Sequence, residues 1–274
     1  ESQTDPVLWD NLGTLHFAIT TANPDAQKFF DQGLRLTYGF NHAEALRAFR
    51  KASKLDPDCA MCYWGEALVL GPNINSPMFP DAVEPAFAAV TKAQALAAKA
   101  SDKERALIGA LAARYTNDAK AERPPLEMAY AEAMGKVVAL FPRDQDIGAL
   151  YAEALMDTQP WDYWEAGGAQ SKGRGAEILA TLERVLKDNP DHPGAIHYYI
   201  HVVESSTAPE RALSYAQRLG KQMPGAGHIV HMPFRIGQYK EALQANKEAV
   251  AIDEAYFASG APKSVYSQGY YPHN

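Results

Sequence analysis

Apolar residues return every three or four positions along most of the chain, and few stretches alternate as a half-buried strand would. The periodic segments cover residues 25–38, 42–55, 59–70, 85–98, 101–115, 126–140, 147–156, 176–186, 193–204, 209–222, 228–236 and 239–252. Twelve amphipathic helices and an all-α fold are therefore expected. Asp56-Pro57, Phe141-Pro142, Asn189-Pro190 and Met223-Pro224 each close a helix. The residue before a proline leaves the α region, and the proline has no N–H to continue the ladder. Asp191 ahead of Pro193 is a capping residue and proline that start the next helix.

Two stretches interrupt this pattern. GPNINSPMFPDAVEP, residues 71–85, reads as an ordered loop over the mouth of a groove. TQPWDYWEAGGAQSKGRG, residues 158–175, has an aromatic part expected to pack down and a glycine-rich part expected to be mobile.

Composition narrows the classes without naming one. The chain has 274 residues, 47% of them hydrophobic and 22% charged, which is ordinary for a globular protein. With 26 basic and 33 acidic residues it carries −7, and no basic patch is available to neutralise phosphates, so a nucleic-acid partner is not expected. No apolar run approaches the roughly 20 residues of a membrane span. Cys59 and Cys62 form one CxxC, which fits a disulfide, a redox pair, half a metal site or two buried thiols. A four-thiolate zinc site is excluded because there is no second pair. The start at Glu1 is read as a processed or trimmed end, which with the CxxC points to a periplasmic or secreted protein, a cytoplasmic one being the alternative.

The chemistry concentrates between His192 and His231, which hold five of the eight histidines. His197, His201 and Glu204 follow one another at spacings of four and three, so a helix places them on one face. His228 and His231 repeat the arrangement at a spacing of three. Neutral imidazoles with a nearby carboxylate are a common ligand set for zinc, copper or iron. His197, His201, His228 and His231 are the candidate metal ligands, with copper or zinc ahead of iron. The bland alternative is a set of polar or capping residues that bind nothing, which suits His192 between Asp191 and Pro193. His42 reads as a cap or surface residue, and His16 as packing the N-terminal segment. Of Tyr198 and Tyr199, one is expected to offer a hydroxyl near the histidines and the other to pack. HExxH, a phosphate loop, a nucleophile elbow and a dinucleotide fingerprint are all missing.

The prolines also reveal an internal repeat. Ala52, Phe49, Ala45 and Gly33 lie five, eight, twelve and twenty-four residues before Pro57. This spacing resembles the tetratricopeptide repeat, a helix-turn-helix of about 34 residues. FFDQGLRLTYGFNHAEALRAFRKASKLDPD is the best match and GQYKEALQANKEAVAIDEAY a second half-match. The resemblance implies one tetratricopeptide-like domain over residues 1–274, an α-solenoid wound as a right-handed superhelix. It also implies that the first helix of each unit lines a concave groove. That places His197, His201, Glu204, His228, His231, Asp146 and Glu153 in the groove, with Glu153 and Glu204 as candidate ligands, orienting groups or general bases. By the same reasoning Trp64 is a groove wall, core packing being its alternative. A small molecule or a peptide is the expected occupant.

The strings CAMCYWGEAL, HPGAIHYYIH and GHIVHMP further resemble a family of bacterial, exported tetratricopeptide proteins. Its members commonly follow HMP with Ser-His and several residues before an arginine-glycine segment, whereas this chain reads HMPFRIG. The departure coincides with a shortfall of about four residues against the repeat period. Either the last first-helix is truncated or residues are missing there, and the uncapped tail YSQGYYPHN suggests a piece of a longer array. Two functions are carried forward: a metalloprotein, as an oxidoreductase or hydrolase, and a non-catalytic scaffold that binds a peptide or partner protein in its groove.

Overall fold

The computed structural model describes residues 5–237, 239–261 and 264–273, with the side chains of all but 239–242. Gln238 and the side chains of 239–242, within the second repeat half-match, lie outside the described residues. Among the described residues the fold is all-α, without a strand. The helices are α1 (Pro24–Tyr38), α2 (His42–Leu55), α3 (Ala60–Leu70), α4 (Val83–Leu96), α5 (Asp102–Ala112), α6 (Arg123–Leu140), α7 (Gln145–Asp157), α8 (Gly175–Asp188), α9 (Pro193–Val203), α10 (Leu213–Gln222), α11 (Gly227–His231), α12 (Tyr239–Ala258) and α13 (Tyr271–His273). Each expected segment carries a helix. The segment over 228–236 breaks at Met232, where α11 gives way to a 3-10 turn, Met232–Ile236. Pro233 has no N–H to offer the carbonyl of Ile229, so the α ladder stops.

Local chemistry starts the helices. Asn23, Asn41 and Asp144 each accept a backbone N–H of the first turn through their side chains. Ser101 and Glu104 form a capping box at α5. Glu104 also accepts from the backbone N–H and hydroxyl of Thr20, both at 2.6 Å, which ties the extended N-terminal segment to α5. At α3 the cap is Cys59, whose sulfur accepts from the N–H of Cys62. The two cysteines are joined as a disulfide and are fully buried.

From α1 to α12 each helix packs against the next, and α1 meets α3, α3 meets α5 and α7 meets α9. Phe49 of α2 fills the space between α1 and α3. A Cβ on Gly33 would lie 2.7 Å from its ring, and one on Gly65 2.3 Å. Glycine is required there because three helices converge on one aromatic ring. A second close approach joins the two halves of the chain. Gly194 on α9 lies against the ring of Tyr38 on α1, where a Cβ would stand 2.4 Å away.

Trp64 requires a correction. It is 1% exposed within the main apolar core, so it packs there and walls no open groove. The glycine-rich part of the 158–175 loop forms a hydrogen-bonded turn, with Gly168 donating to Glu165 and accepting from Thr207. No helix is long and apolar enough to cross a membrane among the described residues.

Gly65→Ala is expected to destabilise the fold by about 1–3 kcal/mol, the usual cost of overpacking. Phe49→Leu in the same chain should recover part of that loss. Urea unfolding of the three chains checks this, and an unchanged midpoint for Gly65→Ala would contradict the three-helix contact.

Candidate metal centre

α9 and α11 bring the sequence-predicted histidines together. His197, His201 and His228 each present a ring nitrogen, and these atoms lie within 4.8 Å of one another. All three side chains are fully buried. Such a cluster can hold a metal ion.

The hydrogen bonds fix which nitrogens are available. His197 donates from Nδ1 to the backbone carbonyl of Tyr38 at 2.6 Å. A carbonyl only accepts, so the proton of this imidazole is on Nδ1 and Nε2 carries a bare lone pair. His201 places Nδ1 3.0 Å from Oε1 of Glu204, and when that carboxyl is ionised it takes the Nδ1 proton and leaves Nε2 bare as well. The two Nε2 atoms then face each other at 3.0 Å. With Glu204 ionised, a proton placed between the two nitrogens to relieve the clash of lone pairs would make one ring cationic; with Glu204 protonated, His201 would instead carry its proton on Nε2 and donate to His197. Burial, then the neighbouring His201, holds His197 well below the ordinary histidine range. Burial, then Arg235, does the same for His201. A metal ion relieves the clash without a proton. Imidazoles bound at about 2.0–2.1 Å in tetrahedral geometry sit about 3.3 Å apart.

His228 makes the same point differently. Neither of its ring nitrogens has a hydrogen-bond partner, although both are buried. A buried polar atom without a partner is costly and calls for an explanation. Its ring centroid lies 5.1 Å from that of His197 and 6.1 Å from that of His201. Burial, then His197 and His201, keeps it neutral, which is the form that binds metal.

His231 stands next to the trio, its ring 6.1 Å from that of His228. Its Nδ1 bonds to Oδ1 of Asn246 at 2.7 Å, and its buried Nε2 is unpartnered. Burial pushes it down to about 4. It is placed as an adjacent nitrogen, outside the trio's 4.8 Å set.

The carboxylates divide. Glu204 bonds both His201 and, through Oε2, Nη1 of Arg235 at 3.3 Å. Burial lifts its carboxyl to about 7 in spite of that arginine. A carboxylate on the far nitrogen of a metal-binding imidazole orients the ring and raises its basicity. Glu153 lies in a different cluster. It sits with Arg114, which is fully buried and donates to Glu127 at 2.6 Å and to Asp157 at 2.5 Å. Burial lifts Glu153 to about 7, with Glu127 adding to the effect and Arg114 opposing it. Asp146 is also elsewhere, accepting from His192 Nε2 and Tyr38 OH, both at 3.2 Å. His192 caps α9 through Nδ1, and His16 bonds Asp31 at 2.7 Å. Tyr199 points to Glu183, while Tyr198 lays its ring beside that of His197.

Sequence reasoning missed the aromatic platform and the arginine beside the cluster. Phe40 lies 4.5 Å from His197, 5.8 Å from His201 and 5.7 Å from His228, centroid to centroid. Its φ is 57°, in the left-handed region, and the other non-glycine residue of that kind among the described residues, Trp161 at 64°, packs edge-on to His201 at 5.2 Å. The sequence hides this, because Gly39 next door is the residue that should take positive φ and does not. Beside the cluster, Arg235 donates from Nη2 to Nε2 of His273 at 2.8 Å. His273 was legible only as a lone histidine, 42 residues beyond His231.

No protein-family model matches the chain, and neither does any curated protein.

A pH prediction follows from His228. Above about pH 6.5 neither the folded nor the unfolded metal-free chain protonates it; below, the unfolded chain takes a proton that the folded chain refuses. Stability is therefore lost as pH falls. His228→Phe should be more stable than metal-free wild type by a margin growing about 1.4 kcal/mol per pH unit below 6.5. Denaturant titrations at pH 5 and pH 8 measure it, and an equal difference at both would contradict the burial of a neutral ring.

Proposed function

We propose that this protein is a transition-metal protein in which His197, His201 and His228 hold one ion, copper or zinc ahead of iron. The observation that carries the reading is the pair of Nε2 atoms facing each other at 3.0 Å beside the unpartnered His228. Three histidines with a position left open are the ligand pattern of catalytic rather than structural zinc. The open position supports an enzyme, hydrolytic with zinc and oxygen-using with copper or iron. Glu204 would orient His201 and is the nearest carboxylate to take a proton. His231 is the reserve nitrogen, reaching the ion by a small movement of α11. The peptide-scaffold reading is less well supported, since recognition groups for a peptide must be presented at a surface and the trio is fully buried.

The wider reading is a tetratricopeptide-like solenoid over the whole chain. The packing of α1 on α3, α3 on α5 and α7 on α9 supports it, because first helices of successive repeats stack in that way. The buried disulfide supports an oxidising compartment, periplasmic or extracellular.

Binding to the folded chain alone stabilises it by mass action, by about 2.7 kcal/mol at one hundred times the dissociation constant. Addition of zinc or copper should raise the melting temperature of chelator-treated protein by several degrees, and excess chelator should reverse the shift. In His201→Ala the shift should vanish. A shift that survives His201→Ala would place the metal elsewhere, and no shift in wild type would remove the proposal.

A further inference from the structure

The groups around the histidine cluster point to a class of ligand. Arg235 lies within electrostatic reach of His197, His201, His228 and His231. Its Nη1 is used by Glu204 and its Nη2 by His273, but its Nε is buried and donates to nothing. The three histidines contribute no charge. A divalent ion would therefore add two positive charges to that of Arg235, with Glu204 as the one carboxylate bonded to the cluster. Buried positive charge without compensation is expensive, so the pocket selects an anion. A guanidinium N–H beside an open metal position suits an oxygen acid, one oxygen on the metal and the other on the arginine.

Two side chains decide between oxygen acids. Trp161 and Phe234 are large aromatics that remain 40% and 39% exposed. Trp161 packs against His201 and under the guanidinium of Arg235, 5.7 Å from it, and Phe234 lies 5.3 Å from His231. Aromatic surface left open beside the histidines and Arg235 favours a ligand with an apolar body, which inorganic phosphate lacks.

We infer that the site takes an organic carboxylate, its carboxyl group held between the metal and Arg235 Nε and its apolar part between Trp161 and Phe234. This rests on the metal reading above. The test uses full-length protein loaded with cobalt(II), whose visible absorption reports its ligands, and benzoate as the probe, with inorganic phosphate as comparison. Cobalt uptake is measured first; a chain that takes none contradicts the metal reading itself, and the carboxylate inference falls with it. With cobalt bound, benzoate should change the spectrum saturably and at lower concentration than phosphate. Arg235→Met should raise the benzoate dissociation constant by about tenfold or more at unchanged cobalt content, with Arg235→Lys in between. A spectrum unmoved by benzoate, or equal affinity in wild type and the methionine variant, overturns the inference while leaving the metal in place. Phosphate binding as tightly as benzoate would overturn the organic part. Should Arg235→Met fail to fold, the lysine variant and the wild-type comparison of the two anions still decide.

Discussion

Two imidazole nitrogens face each other at 3.0 Å in a buried interior. The constraint is set from behind each ring. Tyr38 offers a backbone carbonyl to His197, which commits its Nδ1 proton, and an ionised Glu204 does the same for His201, so that neither Nε2 then donates. Burial removes the simplest escape, protonation, by keeping both rings neutral. A cation between the nitrogens satisfies all of these conditions together, which is why the metal reading does not depend on the number of histidines alone.

The fold exists around that contact in a specific way. The carbonyl of Tyr38 comes from α1, nearly 160 residues before His197, and it reaches α9 because Gly194 lets the Tyr38 ring lie against that helix. One residue on, the backbone turns left-handed at Phe40, a conformation costing a bulky residue about 1–3 kcal/mol. The return is a ring placed against three histidines. Strain of this kind persists where surrounding packing over-determines it, and both non-glycine examples among the described residues, Phe40 and Trp161, touch the cluster.

The helices were legible because their signals are local. Apolar residues at three and four, prolines after the second helices and side-chain caps at the starts suffice to place them. The histidine trio was legible because i, i+4 spacing acts within one helix, and because GHIVH carries its own pair. What was not legible depends on distant parts of the chain meeting. Glu153 shares the register of a groove residue, yet a buried arginine from another helix captures its neighbourhood. Trp64 has the same register and is core, since register names a face and not whether that face is open. Arg235 and His273 meet across 38 residues, and no spacing rule joins a short 3-10 turn to a C-terminal tail.

Metal content is the most direct test of the account. The protein, purified without a histidine tag, should contain about one copper, zinc or iron per chain by elemental mass spectrometry, either as isolated or after reconstitution and desalting. The His197→Ala/His201→Ala variant, treated identically and shown to be folded, should contain none. Wild-type protein without stoichiometric metal after reconstitution, or a variant that retains the full complement, would contradict the claim that the facing nitrogens are a metal site.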